Sequence, residues 1–299
     1  MVDKTILCRQ YAHVLIGQNI KEFLKYAASF SKKPSAESLH RARVTLRRIH
    51  NLLTIFHDVV SHQEVKAWDR AIAAAGQALG QGRDLDVWIY LLKRHISQYS
   101  SLHKATSRKI VLILEKERQK KQTHVEDIFA DLKRKKIFQD ANHVFGCDEQ
   151  YPVKDQVLYG MAKRKITKRL KRFLAFRPFV NHPEQGKQLH RMRIAGKKLR
   201  YTLESFEHLY GVQAKYFYHT VYAMQIALGE MHDAEMLTIA LHDIEKGTPD
   251  AKTKETLVYL CGFFTKLRQA SYQKFLKLWK KNNQQKFWQK LRKFIKSSI

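Results

Sequence analysis

The chain has 299 residues, 44% hydrophobic and 11% aromatic, and carries 56 Lys and Arg against 27 Asp and Glu, a formal net charge of +29. That apolar content can bury a sizeable core, which excludes a disordered basic tail, while self-repulsion at this charge is most simply tolerated by a protein with a polyanionic partner. Cys8, Cys147 and Cys261 are scattered, which excludes a disulfide framework or a C-x-x-C site and favours a reducing, cytoplasmic setting.

The N-terminus offers no signal-peptide core, because Asp3, Lys4 and Arg9 interrupt it. With five prolines and 12 glycines, long stretches run without breakers, and an all-α protein is the expectation. Helices are predicted near 4–30, 36–59, 62–98 and 101–137. A connection follows at 145–152 (FGCDEQYP), and the plan then repeats near 153–177, 184–210, 213–246 and 249–281. Short connections between four helices suggest a bundle in each half. The expected organisation is a first four-helix repeat over 1–146, a second over 147–282 and a basic tail helix over 283–299, within one compact unit. The longest apolar stretch, 257–264, is far too short to cross a bilayer.

The two halves repeat a phrase. Residues 40–56 read HRARVTLRRIHNLLTIF and residues 190–206 read HRMRIAGKKLRYTLESF; LGQGRDLDV from Leu79 is echoed by LGEMHDAEM from Leu228. Two matched pairs at nearly one interval indicate a duplication. At 100° per residue, His40, Arg43, Arg47 and Asn51 share one face of their helix, with Arg48 at its margin. Leu46, Ile49, Leu52, Leu53 and Phe56 lie opposite. The second copy obeys the same wheel: His190, Arg193, Lys197 and Tyr201 form a stripe flanked by Lys198 and Arg200, opposite Leu199, Leu203 and Phe206.

The first helix of the second half adds Arg164, Lys165, Lys168, Arg169, Lys171 and Arg172. Its counterpart in the first half has Gln18, Asn19 and Glu22 where the second has Lys168, Arg169 and Arg172. Residues 1–150 carry net +10 and the remainder net +19, so the second copy should be the stronger anion binder.

These stripes have a bland reading as solvated helix faces, but such faces normally mix signs, because like charges three or four residues apart repel. The glycine of each Leu-Gly pair lies mid-helix and costs helix stability, which suggests a close helix approach. Arg83 and His232 would extend the cationic surface. Asp84 and Asp233 would hold basic side chains, and Asp86 and Glu235 would do the same or cap a segment. A sharper alternative, metal-dependent phosphohydrolysis through the dipeptides His57-Asp58, His232-Asp233 and His242-Asp243, is weakened by Arg83 standing where His232 stands, since arginine does not ligate metals. No Gly-rich phosphate loop, zinc spacing or catalytic triad order is present, so no enzyme activity, metal or cofactor is expected. The tail from Tyr272 has nine Lys and Arg, no acid and interleaved aromatics. A helix packed back on the core is expected there, against the alternative of a basic amphipathic helix on a membrane or nucleic acid.

His40-x-x-Arg43-Val44-x-x-Arg47-Arg48 with Leu79-Gly80-x-x-Arg83-Asp84, echoed by His190-x-x-Arg193-Ile194-x-x-Lys197-Lys198-x-Arg200-Tyr201 with Leu228-Gly229-x-x-His232-Asp233, resembles the conserved histidine α-helical (CHAD) domain family over nearly the whole chain. The resemblance implies two four-helix bundles related by a pseudo-twofold and facing each other across a basic groove. It also implies non-catalytic binding of inorganic polyphosphate and association with polyphosphate granules. By position, His40, Arg43, Arg47, Arg48, His190, Arg193, Lys197, Lys198 and Arg200 would contact phosphates. Arg83, His232 and the basic face of Lys165, Lys168, Arg169 and Arg172 would line the groove peripherally. A nucleic-acid partner meets the charge requirement equally, but it needs exposed aromatics for base stacking, and Tyr201 is the one aromatic on either stripe.

Overall fold

A computed structural model of the chain describes residues 6–60, 63–98, 103–134, 138 and 156–297. All the regular secondary structure of the described residues is helical, without strands. In order they form α1 (Ile6–Lys32), α2 (Ala36–Ile55), α3 (Gln63–Gln98), α4 (Lys104–Arg134), α5 (Gln156–Leu174) and α6 (Gly186–Ser205). The one-turn α7 (Glu207–Tyr210), α8 (Val212–Lys246), α9 (Ala251–Gln284) and α10 (Phe287–Ser297) follow. The expected connection over 145–152 lies outside the described residues.

Local chemistry sets the boundaries. Ser35 caps α2 by accepting a hydrogen bond from the Ser38 amide at 3.1 Å, and Asp250 caps α9 by accepting from the Thr253 amide at 2.8 Å. The predicted helices over 36–59 and 184–210 end earlier. α2 stops at Ile55, and the second breaks after Ser205 before the turn of α7. Both breaks fall at a phenylalanine that leaves the helix to fill the interior. Phe56 and Phe206 are fully buried, pack on each other at 5.7 Å and both flank Tyr11 at 6.1 Å. The Tyr11 hydroxyl donates to the Ser205 carbonyl at 2.8 Å, so an aromatic trio ties the ends of α2 and α6 together. Gly211, at φ +66°, supplies the left-handed turn into α8.

α3 with α4, and α8 with α9, form long helix pairs, while the shorter α1, α2, α5 and α6 pack across the chain's midpoint. Counterparts touch: α1 meets α5, α2 meets α6, α3 meets α8 and α4 meets α9. The larger hydrophobic cluster draws on both halves, from Tyr11, Leu46 and Phe56 to Phe173, Leu199 and Phe275. A second cluster, including Leu92, Ile110, Leu114, Leu237, Leu257 and Phe264, joins one end of the four long helices and also mixes the halves. Neither half therefore buries its apolar faces alone. The tail behaves as the packing reading expects: Phe287, Trp288, Leu291 and Ile295 of α10 are buried, with Trp288 against Phe173 and Trp279 at 5.5 and 5.4 Å. No described helix is long and apolar enough to cross a membrane.

Candidate functional site

The contact of α2 with α6 brings the two duplicated stripes to one place. On the way, each stripe arginine lies across the glycine of the neighbouring helix in its own half. A Cβ on Gly80 would sit 3.4 Å from Nη2 of Arg43, and a Cβ on Gly229 would sit 3.8 Å from Nε of Arg193. A guanidinium thus rests against each mid-helix glycine at ordinary contact distance, so an added methyl would touch it without being excluded. A glycine in a helix interior costs about 1 kcal/mol, and both halves bear that cost at the same point.

Arg43, Arg47, Arg193 and Lys197 then share a partly buried space between the halves. Burial is the main force lowering Arg43, to about 10, with Arg47, Arg83 and Arg193 acting in the same direction. Lys197 is pushed down to about 6, first by burial and then by Arg193, Arg47 and Arg43. Arg193 is lowered by burial as well, although it pairs with Asp233 at 3.5 Å. Asp84 and Asp233 act on this group and on each other; burial, opposed by Arg193, raises Asp233. The expectation that these acids hold basic side chains is met at Asp233. Nε of both Arg43 and Arg193 is buried with no hydrogen-bond partner. Burial without a partner is costly for such a donor, and Nε of Arg48 and Arg200 bears the same cost.

The histidines flank this group differently in each half. His40 is lowered by burial and by Arg83. His190 stands against His232, Nδ1 to Nδ1 at 3.2 Å, with ring centroids 4.3 Å apart. Burial, then Arg193, pushes His232 down to about 3, and burial, then Arg193, also lowers His190. Facing nitrogens this close require at least one ring to be neutral, since an imidazolium has donors only.

Asp86 and Glu235 hold basic side chains, one of the two roles expected of them, but the arginines they hold escaped the sequence reading. Asp86 accepts from Nε of Arg118 at 2.7 Å, and Glu235 faces Arg268 at 3.6 Å. Arg268 also donates to the Pro183 carbonyl at 2.9 Å. The signal was available: Arg118 and Arg268 stand 150 residues apart, the interval of the repeat.

The other predicted residues separate into three groups. Lys198 is exposed and lies beside Arg169 and Arg172, which help burial lower it; Lys168 is exposed on the same helix, α5. Arg48 and Lys165 are engaged by acids. Arg48 donates to Glu204 at 2.5 Å and lies 3.7 Å from Glu22, beside a cavity of about 540 Å³ that Gln18 and Asn19 also line. Lys165 reaches Asp58 at 3.3 Å. Arg200 is buried, its guanidinium over the rings of Tyr201 and Tyr222 at 4.3 and 4.9 Å. The structure corrects the placing of Tyr201 on an open stripe. It is only 7% exposed, because the rest of the protein covers a face that the wheel of a lone helix leaves free.

The acid of each His-Asp dipeptide is turned to a cation: Asp58 to Lys165, Asp233 to Arg193 and Asp243 to Lys246. Among the described residues no three His, Cys, Asp or Glu side chains gather in a way that could hold a metal ion.

Fold and site thus define a helical protein whose repeated halves press their cationic stripes together. The CHAD domain pattern matches residues 15–242, and the chain belongs to the CHAD family. No curated protein sequence matches it. Among solved structures, the CHAD domain from the plant Ricinus communis is similar at 20% identity, with a TM-score of 0.70 over 88% of this chain and 86% of that one. PptA from Streptomyces chartreusis is similar at 15% identity, with a TM-score of 0.62 over 91% of this chain and 99% of that one. At these identities the likeness is one of fold.

Proposed function

We propose that this protein binds inorganic polyphosphate, without catalysing a reaction, in a basic groove between two four-helix bundles related by a pseudo-twofold. The contact of α1, α2, α3 and α4 with their counterparts α5, α6, α8 and α9 supports the pseudo-twofold. The observation that carries the binding reading is the gathering of Arg43, Arg47, Arg193 and Lys197 across the halves. A linear phosphate chain offers charge and oxygen acceptors and nothing else, and these residues supply the complement. Recruitment to polyphosphate granules follows as a consequence of such binding.

The depressed lysine and histidines fit this reading. In the empty protein Lys197, His190 and His232 are held towards their neutral forms. A polyanion favours the charged forms, so binding takes up protons. Nucleic acid satisfies the same charges, but Tyr201 is buried and offers no stacking surface beside the stripe. Gel shifts with polyphosphate of defined lengths test the proposal, with single-stranded RNA of matched charge as competitor. Polyphosphate should win, and preference for RNA would overturn the reading. Release of phosphate with Mg²⁺ or Mn²⁺ present would overturn its non-catalytic part.

A further inference from the structure

The C-terminal end of the molecule carries a second concentration of charge that the central cluster does not use. No Asp or Glu follows Glu255, whereas eleven Lys and Arg do. On α10, Phe287, Trp288, Leu291 and Ile295 face the core, and Lys290, Arg292, Lys293 and Lys296 occupy the exposed side. Lys277, Lys280 and Lys281 are exposed on the end of α9, and Lys286 in the turn between the two helices. Among the described residues Lys274 is tied to Glu230 at 3.1 Å, but none of these eight cations has an ion-pair partner. Like charges at three- and four-residue spacing repel, so the buried apolar face holds the helix in place against its own charged face.

The burial pattern narrows what could sit there. The apolar side of α10 is spent on the core and provides no wedge for a bilayer. Phe275, Trp279, Phe287 and Trp288 are all buried, and Tyr216 of α8, packed against Phe287 at 5.8 Å, is the half-exposed ring beside them; one such ring among many cations favours a polyanion without bases. Charge dominates what remains. α5 packs against both α6 and α10, and its exposed residues Arg164, Lys168, Lys171 and Arg172 are cations, so it supplies positive charge between Lys198 and the tail.

We propose that α10 and the end of α9 form a second track for polyphosphate, occupied by the part of a long chain that extends past the central cluster and over α5. This rests on the polyphosphate reading of the centre. The track would act through effective concentration: a chain held at the centre engages the tail intramolecularly, so long chains gain and short ones do not.

The test compares K280Q/K281Q/K290Q/K293Q, all exposed positions, with R43E/R193E. Each is titrated with tripolyphosphate and with long-chain polyphosphate over a range of salt, with circular dichroism as the check on folding. The tail variant should bind tripolyphosphate as wild type does and lose at least about tenfold for the long chain. The slope of log affinity against log salt should fall by about two to three, at about 0.7 per lost contact. Unchanged long-chain affinity and slope would overturn the track. If R43E/R193E keeps long-chain binding that the tail variant loses, the central reading fails while the tail stands as the site. Loss of binding to phosphatidylserine vesicles by the tail variant, with polyphosphate binding intact, would overturn the track in favour of a membrane surface.

Discussion

Two seams of the molecule, α1 with α2 and α5 with α6, occupy equivalent places in the repeat and share their apolar positions, yet their charge is opposite in effect. In the first, Arg48 is clasped by Glu204 and Glu22, with Gln18 and Asn19 beside it. In the second, Lys198 stands exposed beside Arg169 and Arg172, and partial burial, then these two arginines, lowers it with no acid to oppose them. The halves share a scaffold, and a few polar differences make one seam electrically quiet and leave the other available. A cation that already has a carboxylate partner has little to offer a phosphate, so the count of Lys and Arg overstates what the first half can bind.

The sharpest way to break this comparison is at the point where the halves meet. R43E/R193E should reduce polyphosphate affinity by more than about a hundredfold with helicity intact by circular dichroism, since each reversal places a carboxylate among buried cations. Retained affinity would move the site elsewhere. Next in size, R169Q/R172Q/K198Q should lower the salt slope by about two. R48Q should leave that slope unchanged and instead lower Tm by about 2–4 °C, because Glu204 is left half-buried without its partner. Equal slopes for the two variants would erase the asymmetry.

The pH response is smaller and has a fixed sign. Lys197 is neutral in the empty protein above about 6 and charged in the unfolded chain up to its ordinary 10.5. The unfolded chain therefore binds the extra proton between those values, and this group's contribution to stability falls as pH drops from 10.5 towards 6. Binding has the opposite dependence: affinity should rise several-fold from pH 8 to pH 6 as protons are taken up. K197M should flatten the affinity profile in titration calorimetry while raising the Tm of the free protein; an undiminished pH dependence would remove Lys197 from the contact set. The smallest effect is expected from E22Q/E204Q, which releases Arg48 and should strengthen binding by about twofold.

Much of the architecture was legible because amphipathic periodicity and caps are local. The wheel of the 40–56 helix identified Leu46, Ile49, Leu52 and Leu53 as core, and all four are buried. The repeat likewise marked Arg43 and Arg193 for one role, and they meet at one place. What escaped were side chains whose surroundings come from distant helices. Tyr201 and Arg200 read as exposed and are buried, and Arg48 read as free until Glu204, 156 residues away, reached it. Arg118 and Arg268 went unseen because a lone arginine on a charged helix carries no local mark.

The amino-acid order by itself determined an all-helical, duplicated and strongly basic chain with two cationic stripes, because each of those properties is written in spacing of a few residues or in plain composition. Only the tertiary structure decided which cations face one another and which are neutralised. It also decided that Lys197 lies where burial and three arginines strip it of its proton. Those outcomes depend on desolvation and on neighbours far apart in the chain, and no helical wheel contains either.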